Sequence, residues 1–130
     1  MGFINEKAVD FRKQEVRAQL FTYYPASTST VTQATNRTTG VTLNTTSGQI
    51  TTNATSLAAA AEAAFVVTND KVTAKSVVVL CAASGQTAGT SVPHVTAVAA
   101  GSFTIQLTNL HASTADTGAM VINFAIIDVK

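Results

Sequence analysis

One cysteine, no tryptophan and two prolines occur in this 130-residue chain, and only 12% of its residues are charged, about half the usual share of roughly 25%. A single cysteine excludes an intramolecular disulfide framework and a cysteine-based zinc knuckle. A net charge of +1 excludes a strongly basic nucleic-acid binder working by counterion release, so no nucleic-acid partner is expected. The longest apolar run, Val77 to Ala83, has seven residues, far short of the roughly 20 that span a bilayer. No membrane association is expected either. The first residues reach charge at Glu6 and Lys7 with no apolar stretch before them, so a signal peptide is not expected. Glu6 also stands where a myristoylation signal prefers Ser or Thr. These features together point to synthesis and folding in a reducing cytoplasm.

Chemistry-bearing motifs are equally scarce. The two histidines, His94 and His111, show neither HxH nor HExxH spacing. Asp116 follows His111 by five residues and offers a second ligand at most, so no metal site is expected. There is no GxSxG. Gly85-Gln86-Thr87-Ala88-Gly89-Thr90 has the glycines of a phosphate-binding loop without its lysine, and reads as an ordinary loop. With few titratable groups to converge, neither a catalytic residue nor a cofactor is expected, and an enzyme is not the reading. Cys81, inside the longest apolar run, reads as a small buried hydrophobe. Asn36-Arg37-Thr38, Asn44-Thr45-Thr46 and Asn53-Ala54-Thr55 fit the glycosylation sequon, which would go unused without secretion.

Hydrophobic residues make up 46% of the chain, and threonine and alanine contribute 22 each. That is enough apolar surface for a folded core. Charge divides the chain. Residues 1–24 hold seven of the fifteen charges, and the polar stretch Pro25-Ala26-Ser27-Thr28-Ser29-Thr30 follows. This gives an arm (1–24), a linker (25–30) and a body (31–130). The arm is rich in helix formers, and Asn5 could cap a helix there. At helical spacing, however, Phe3, Ile4, Ala8, Phe11 and Ala18 fall on one side and Val9, Val16 and Leu20 nearly opposite. A helix apolar on two sides needs two surfaces to grip it, or it is not a stable helix in isolation; it either packs on its own body or docks on another subunit or protein. Phe21, Tyr23 and Tyr24 gather three of the eight aromatics at the end of the arm, as a docking anchor would.

The body reads as strands. Phe103-Thr104-Ile105-Gln106-Leu107-Thr108 alternates without error, the mark of a strand with one wet face. Val41–Asn44 and Gln49–Thr51 alternate over shorter spans. Met120, Ile122, Phe124 and Ile126 share one face of a strand whose other face is mostly small and apolar, and Val77 to Ala82 is apolar on both faces. These two strands are expected to be covered on both sides. Six glycines, Gly40, Gly48, Gly85, Gly89, Gly101 and Gly118, lie between the apolar runs, where turns use positive φ. The spacing predicts strands at 30–35, 41–44, 49–53, 64–69, 76–83, 92–99, 102–109 and 119–128. Leu57 to Glu62 has helix propensity but too little length, and is read as a turn or a single helical turn. The expected core is Val41, Leu43, Ile50, Phe65, Val67, Phe103, Ile105, Leu107, Ile122, Phe124 and Ile126. The fold class expected is all-β: an antiparallel β-sandwich of about eight strands, jelly-roll or immunoglobulin-like, preceded by the arm.

Gly40-Val41-Thr42-Leu43-Asn44, Gly48-Gln49-Ile50-Thr51, Leu57-Ala58-Ala59, Phe65-Val66-Val67-Thr68-Asn69, Val77-Val78-Val79, Ala99-Ala100-Gly101-Ser102-Phe103-Thr104-Ile105 and Val121-Ile122-Asn123-Phe124-Ala125-Ile126 follow one another in an order and spacing that resemble a small β-domain of tailed-phage virion structural proteins. The resemblance covers about residues 30–127 and leaves out the arm. It carries no catalytic signature. Where that pattern has a glycine in the turn before the Phe65 strand, this chain has Ala60-Ala61-Glu62. The resemblance implies a capsid decoration or head-fibre protein on the virion surface, and it is the source of the expectation of a homotrimer. The expected partner is a capsid protein or another virion subunit. It would be gripped by Phe3, Ile4 and Phe11, with Phe21, Tyr23 and Tyr24 nearer the body. Arg12, Lys13 and Arg17 would meet acidic groups. The alternative is a receptor- or glycan-binding module of a tail fibre or adhesin, using loops 84–91 and 110–118. The absence of Trp and Tyr from the body counts against it.

Overall fold

Threonine, valine and isoleucine suit a pleated, half-buried surface, and the body uses them that way. The computed structural model describes residues 29–129. Eight strands follow in order: β1 (Thr30–Thr32), β2 (Val41–Thr42), β3 (Ser47–Thr51), β4 (Glu62–Thr68), β5 (Val77–Ser84), β6 (Ser91–Ala99), β7 (Ser102–Asn109) and β8 (Val121–Ile127). They form two four-stranded sheets, ordered β1-β3-β8-β5 and β2-β4-β7-β6. The described residues contain no helix. The fold is an all-β sandwich. Its antiparallel pairs nest: β3 with β8, β4 with β7, then β5 with β8 and β6 with β7. That winding is of the jelly-roll kind rather than the immunoglobulin kind. At the opposite edges β1 runs parallel to β3 and β2 parallel to β4, so the sandwich is not antiparallel throughout. The chain crosses between the sheets at each of these steps, which brings successive strands of one sheet back in the same direction.

All eleven expected core residues are buried, joined by Leu57, Ala63, Val72 and Met120. In β7, Phe103, Ile105 and Leu107 face inward while Ser102, Thr104, Gln106 and Thr108 face out. The rings of Phe103 and Phe124 meet between the sheets with centroids 5.5 Å apart and planes tilted by 55°. Leu57 pairs with Asp116 in an isolated bridge, and Leu57 to Ala61 is extended chain and turn with no helical turn. Packing of Leu57 into the core overrides the helix propensity of the alanines.

Three expectations are corrected. Positive φ occurs at Gly85, Gly89 and Gly101 and, instead of at the other glycines, at Ala60 (φ 58°). Gly48 lies inside β3 and serves close approach, since a Cβ there would fall 2.8 Å from the Ser29 carbonyl oxygen and 3.0 Å from the Phe124 ring. Second, Cys81 is exposed rather than buried, because it falls on the outward phase of β5. Third, the described residues leave the outer faces of β5 and β8 uncovered: Val77, Val79 and Ile127 are each about half exposed.

Candidate functional site

The strands place all loops at two ends. Loops 33–40, 52–61, 85–90 and 110–120 meet at one end, here the tip; loops 43–46, 69–76 and 100–101 meet at the other, the base. The seven residues of β8 between them span about 24 Å at roughly 3.4 Å per residue.

Asparagine shapes these loops. The Asn36 Oδ1 accepts from the Thr38 N–H and hydroxyl, and Asn53 Oδ1 accepts from the Thr55 N–H and hydroxyl. Two of the three sequon matches are therefore side-chain-closed turns, which explains the Asn-x-Thr pattern without glycosylation. Asn69 and Asn109 close turns on the N–H groups of Lys71 and His111 in the same way. Asn109, buried, also donates from Nδ2 to the carbonyls of Leu57, Ala58 and Thr114. Gln33, buried, donates to the Arg37 and Thr39 carbonyls and accepts from the Asn53 N–H.

At the centre of the tip Arg37 and Asp116 are 3% and 0% exposed, with Nη1 3.5 Å from Oδ2. Arg37 donates to the carbonyls of Thr55, Asp116 and Gly118. Asp116 Oδ1 accepts from the N–H groups of Thr87 and Gly118. One ion pair thus ties all four tip loops together. Burial draws the Arg37 guanidinium below its ordinary pKa, and Asp116 opposes that shift. For Asp116, burial pushes the carboxyl up, but the Thr87 and Gly118 N–H groups and the Arg37 charge outweigh it and hold it below the usual value. The Ser91 hydroxyl also acts on the carboxylate, although its geometry falls short of a hydrogen bond. Sequence reasoning passed over Arg37. The signal available was a lone arginine and one of three aspartates in a body with only eight charges, residue types that are almost never buried unless paired.

The tip offers little reactive chemistry. His111 Nδ1 accepts from the N–H groups of Ser113 and Thr114, and Asp116 pairs with Arg37. Among the described residues no three His, Cys, Asp or Glu side chains gather as metal ligands. The Gly85–Thr90 loop spends its Thr87 N–H on Asp116 and its Thr90 N–H on the Thr87 carbonyl. All three phenylalanines of the body are buried, so the tip has no aromatic platform for a sugar. Loops 84–91 and 110–118 do come together, through Asp116 and through the Thr117 N–H on the Thr87 hydroxyl.

The base carries most of the exposed charge of the described residues: Asp70 and Lys71 pair at 3.1 Å, Lys75 is in the same loop, and Asp128 after β8 accepts from the Ser76 hydroxyl. The polypeptide enters the fold partway along this sheet, with the Ser29 carbonyl accepting from the Gln49 N–H and Gln49 in register with Asn123 of β8. The expected anchoring residues Phe3, Ile4, Phe11, Arg12, Lys13, Arg17, Phe21, Tyr23 and Tyr24 lie outside the described residues. No protein-family profile matches the chain, and neither does any curated protein or solved structure.

Proposed function

We propose that this chain is a non-enzymatic structural protein of a virion surface, of the capsid decoration or head-fibre kind, anchored by residues 1–24 with the β-body projecting outward. One observation carries the reading: β1 runs toward the tip, parallel to β3, so the chain approaches the sandwich from the base side and the tip loops lie at the far end of the strands from that approach. The body supports it by what it invests in. Buried Gln33, Arg37, Asn109 and Asp116 hold the tip loops in place. A homotrimer is part of the proposal and rests on the resemblance.

Co-sedimentation with particles lacking the protein tests the anchor. The full chain is expected to bind and residues 25–130 to remain folded and unbound. Equal binding by both would move the anchor to the base of the sandwich. Light scattering is expected to give three times the 13.4 kDa chain mass; a stable monomer at micromolar concentration would remove the trimer.

A further inference from the structure

The two sheets differ on their outer faces. The outer face of the β4-β7 pair is mixed, with Ala64 and Val66 among Glu62, Thr68, Ser102, Thr104, Gln106 and Thr108. The outer face of the β5-β8 pair is apolar. Register sets Val77 beside Ile127 and Val79 beside Ala125, with Val77 47%, Val79 50% and Ile127 49% exposed. These four residues are contiguous and carry no charge. They lie at the base end of the sheet, because β5 starts there and β8 finishes there. Val66, Val92 and Leu110 are also exposed, but on the other sheet and its loops; on this sheet the four residues form one apolar patch that a neighbouring segment can cover.

The same sheet receives the incoming chain at mid-length of β8, since Gly48, which lies against Ser29, is in register with Phe124, next to Ala125. Ser29 lies against Gln49 and Gly48 of β3, and Ser47 is in register with Ala125. From β1, where the arm joins, to β5 is three strand intervals, about 14 Å at roughly 4.8 Å each. From Ser29 back to Tyr24 is five residues and to Phe21 eight, which reach at most about 17 Å and 27 Å when extended. The aromatic cluster at the end of the arm can therefore cover this patch on its own body, with no second copy required. Pro25 to Thr28 separate it from Ser29 by a short polar stretch free of charge.

We propose that Phe21, Tyr23 and Tyr24 dock on the outer face of β5 and β8, over Val77, Val79, Ala125 and Ile127 of the same chain. The arm is then clasped to its body at residues 21–24, which leaves Phe3, Ile4 and Phe11 for the partner. This docking does not depend on what the partner is.

The chain supplies its own probe, since its only tyrosines are Tyr23 and Tyr24 and it has no tryptophan. Iodide quenching of tyrosine emission in the full chain reports on them alone. Docking predicts quenching several-fold weaker than for a peptide of residues 1–28. The paired variant Val77→Ser/Ile127→Ser, which leaves the inward core untouched, is expected to restore peptide-like quenching. Shielding should persist at high dilution. Quenching equal to the peptide's in the unmodified chain overturns the proposal. So does shielding that the paired variant leaves unchanged, and so does shielding lost on dilution, which would put a second copy on the face. As a second readout, the Cys81 thiol on the same strand face should react more slowly in the full chain than in Phe21→Ser/Tyr23→Ser/Tyr24→Ser, and equal rates count against docking.

Discussion

Arg37 and Asp116 are 79 residues apart in sequence yet form a buried ion pair through which four loops are joined. Removing one member of such a pair leaves an uncompensated buried charge. Arg37→Ala or Asp116→Ala is expected to cost about 3–5 kcal/mol. Chemical denaturation of each variant checks this. Because the partners act as a unit, the double variant should cost clearly less than the two single losses added. Full additivity would mean that the pair is not coupled.

Acid should loosen the same point. Asp116 is held below its ordinary pKa in the folded chain, so the unfolded chain binds the extra proton first as pH falls. The stability this group contributes is complete above its unfolded value of about 3.9 and is lost as pH drops from there through the lower folded value. Thermal melts at pH 7, 5 and 3 are expected to fall mainly between the last two. In Asp116→Asn that part of the decline should disappear, and an unchanged acid profile would assign it to other carboxylates.

Phe103 and Phe124 bridge the two sheets. Truncating either to alanine is expected to cost roughly 3–5 kcal/mol, a large fraction of a typical domain's stability. Since the rings touch, the double variant should fall short of the sum. Melting within a degree or two of the parent would contradict the inward placement of both.

Two small residues should respond in opposite directions. Ala60 holds φ 58°, a left-handed conformation that costs an L-residue about 1–2 kcal/mol. Ala60→Gly relieves it but loosens the unfolded chain by about 0.4–1 kcal/mol, for a net gain expected near 0.5 kcal/mol. Gly118 packs its backbone on that of Gly85, and a Cβ on it would sit 1.9 Å from the Gly85 carbonyl oxygen. Gly118→Ala should therefore destabilise strongly and part loops 85–90 and 110–120. Denaturant midpoints of the two variants on opposite sides of the parent are the expected result.

The sequence by itself determined the strands and their inward faces. Alternation has period two, so one residue such as Ile105 fixes the phase of Phe103 and Leu107, and burial of all eleven expected core positions follows from that local rule. Which strands pair was decided only by the tertiary structure, since β3 with β8 and β1 parallel to β3 are choices made between segments far apart in sequence. So was the fate of Cys81: alternation placed it opposite Leu80, but an apolar run on both faces does not say which face the core takes. Ala60 took the left-handed position because Leu57 is held in the core and β4 begins at Glu62, leaving the turn between them little choice. Arg37 and Asp116 were invisible for a related reason. A buried ion pair has no periodicity; it exists only where loops from distant parts of the chain converge and exclude water together.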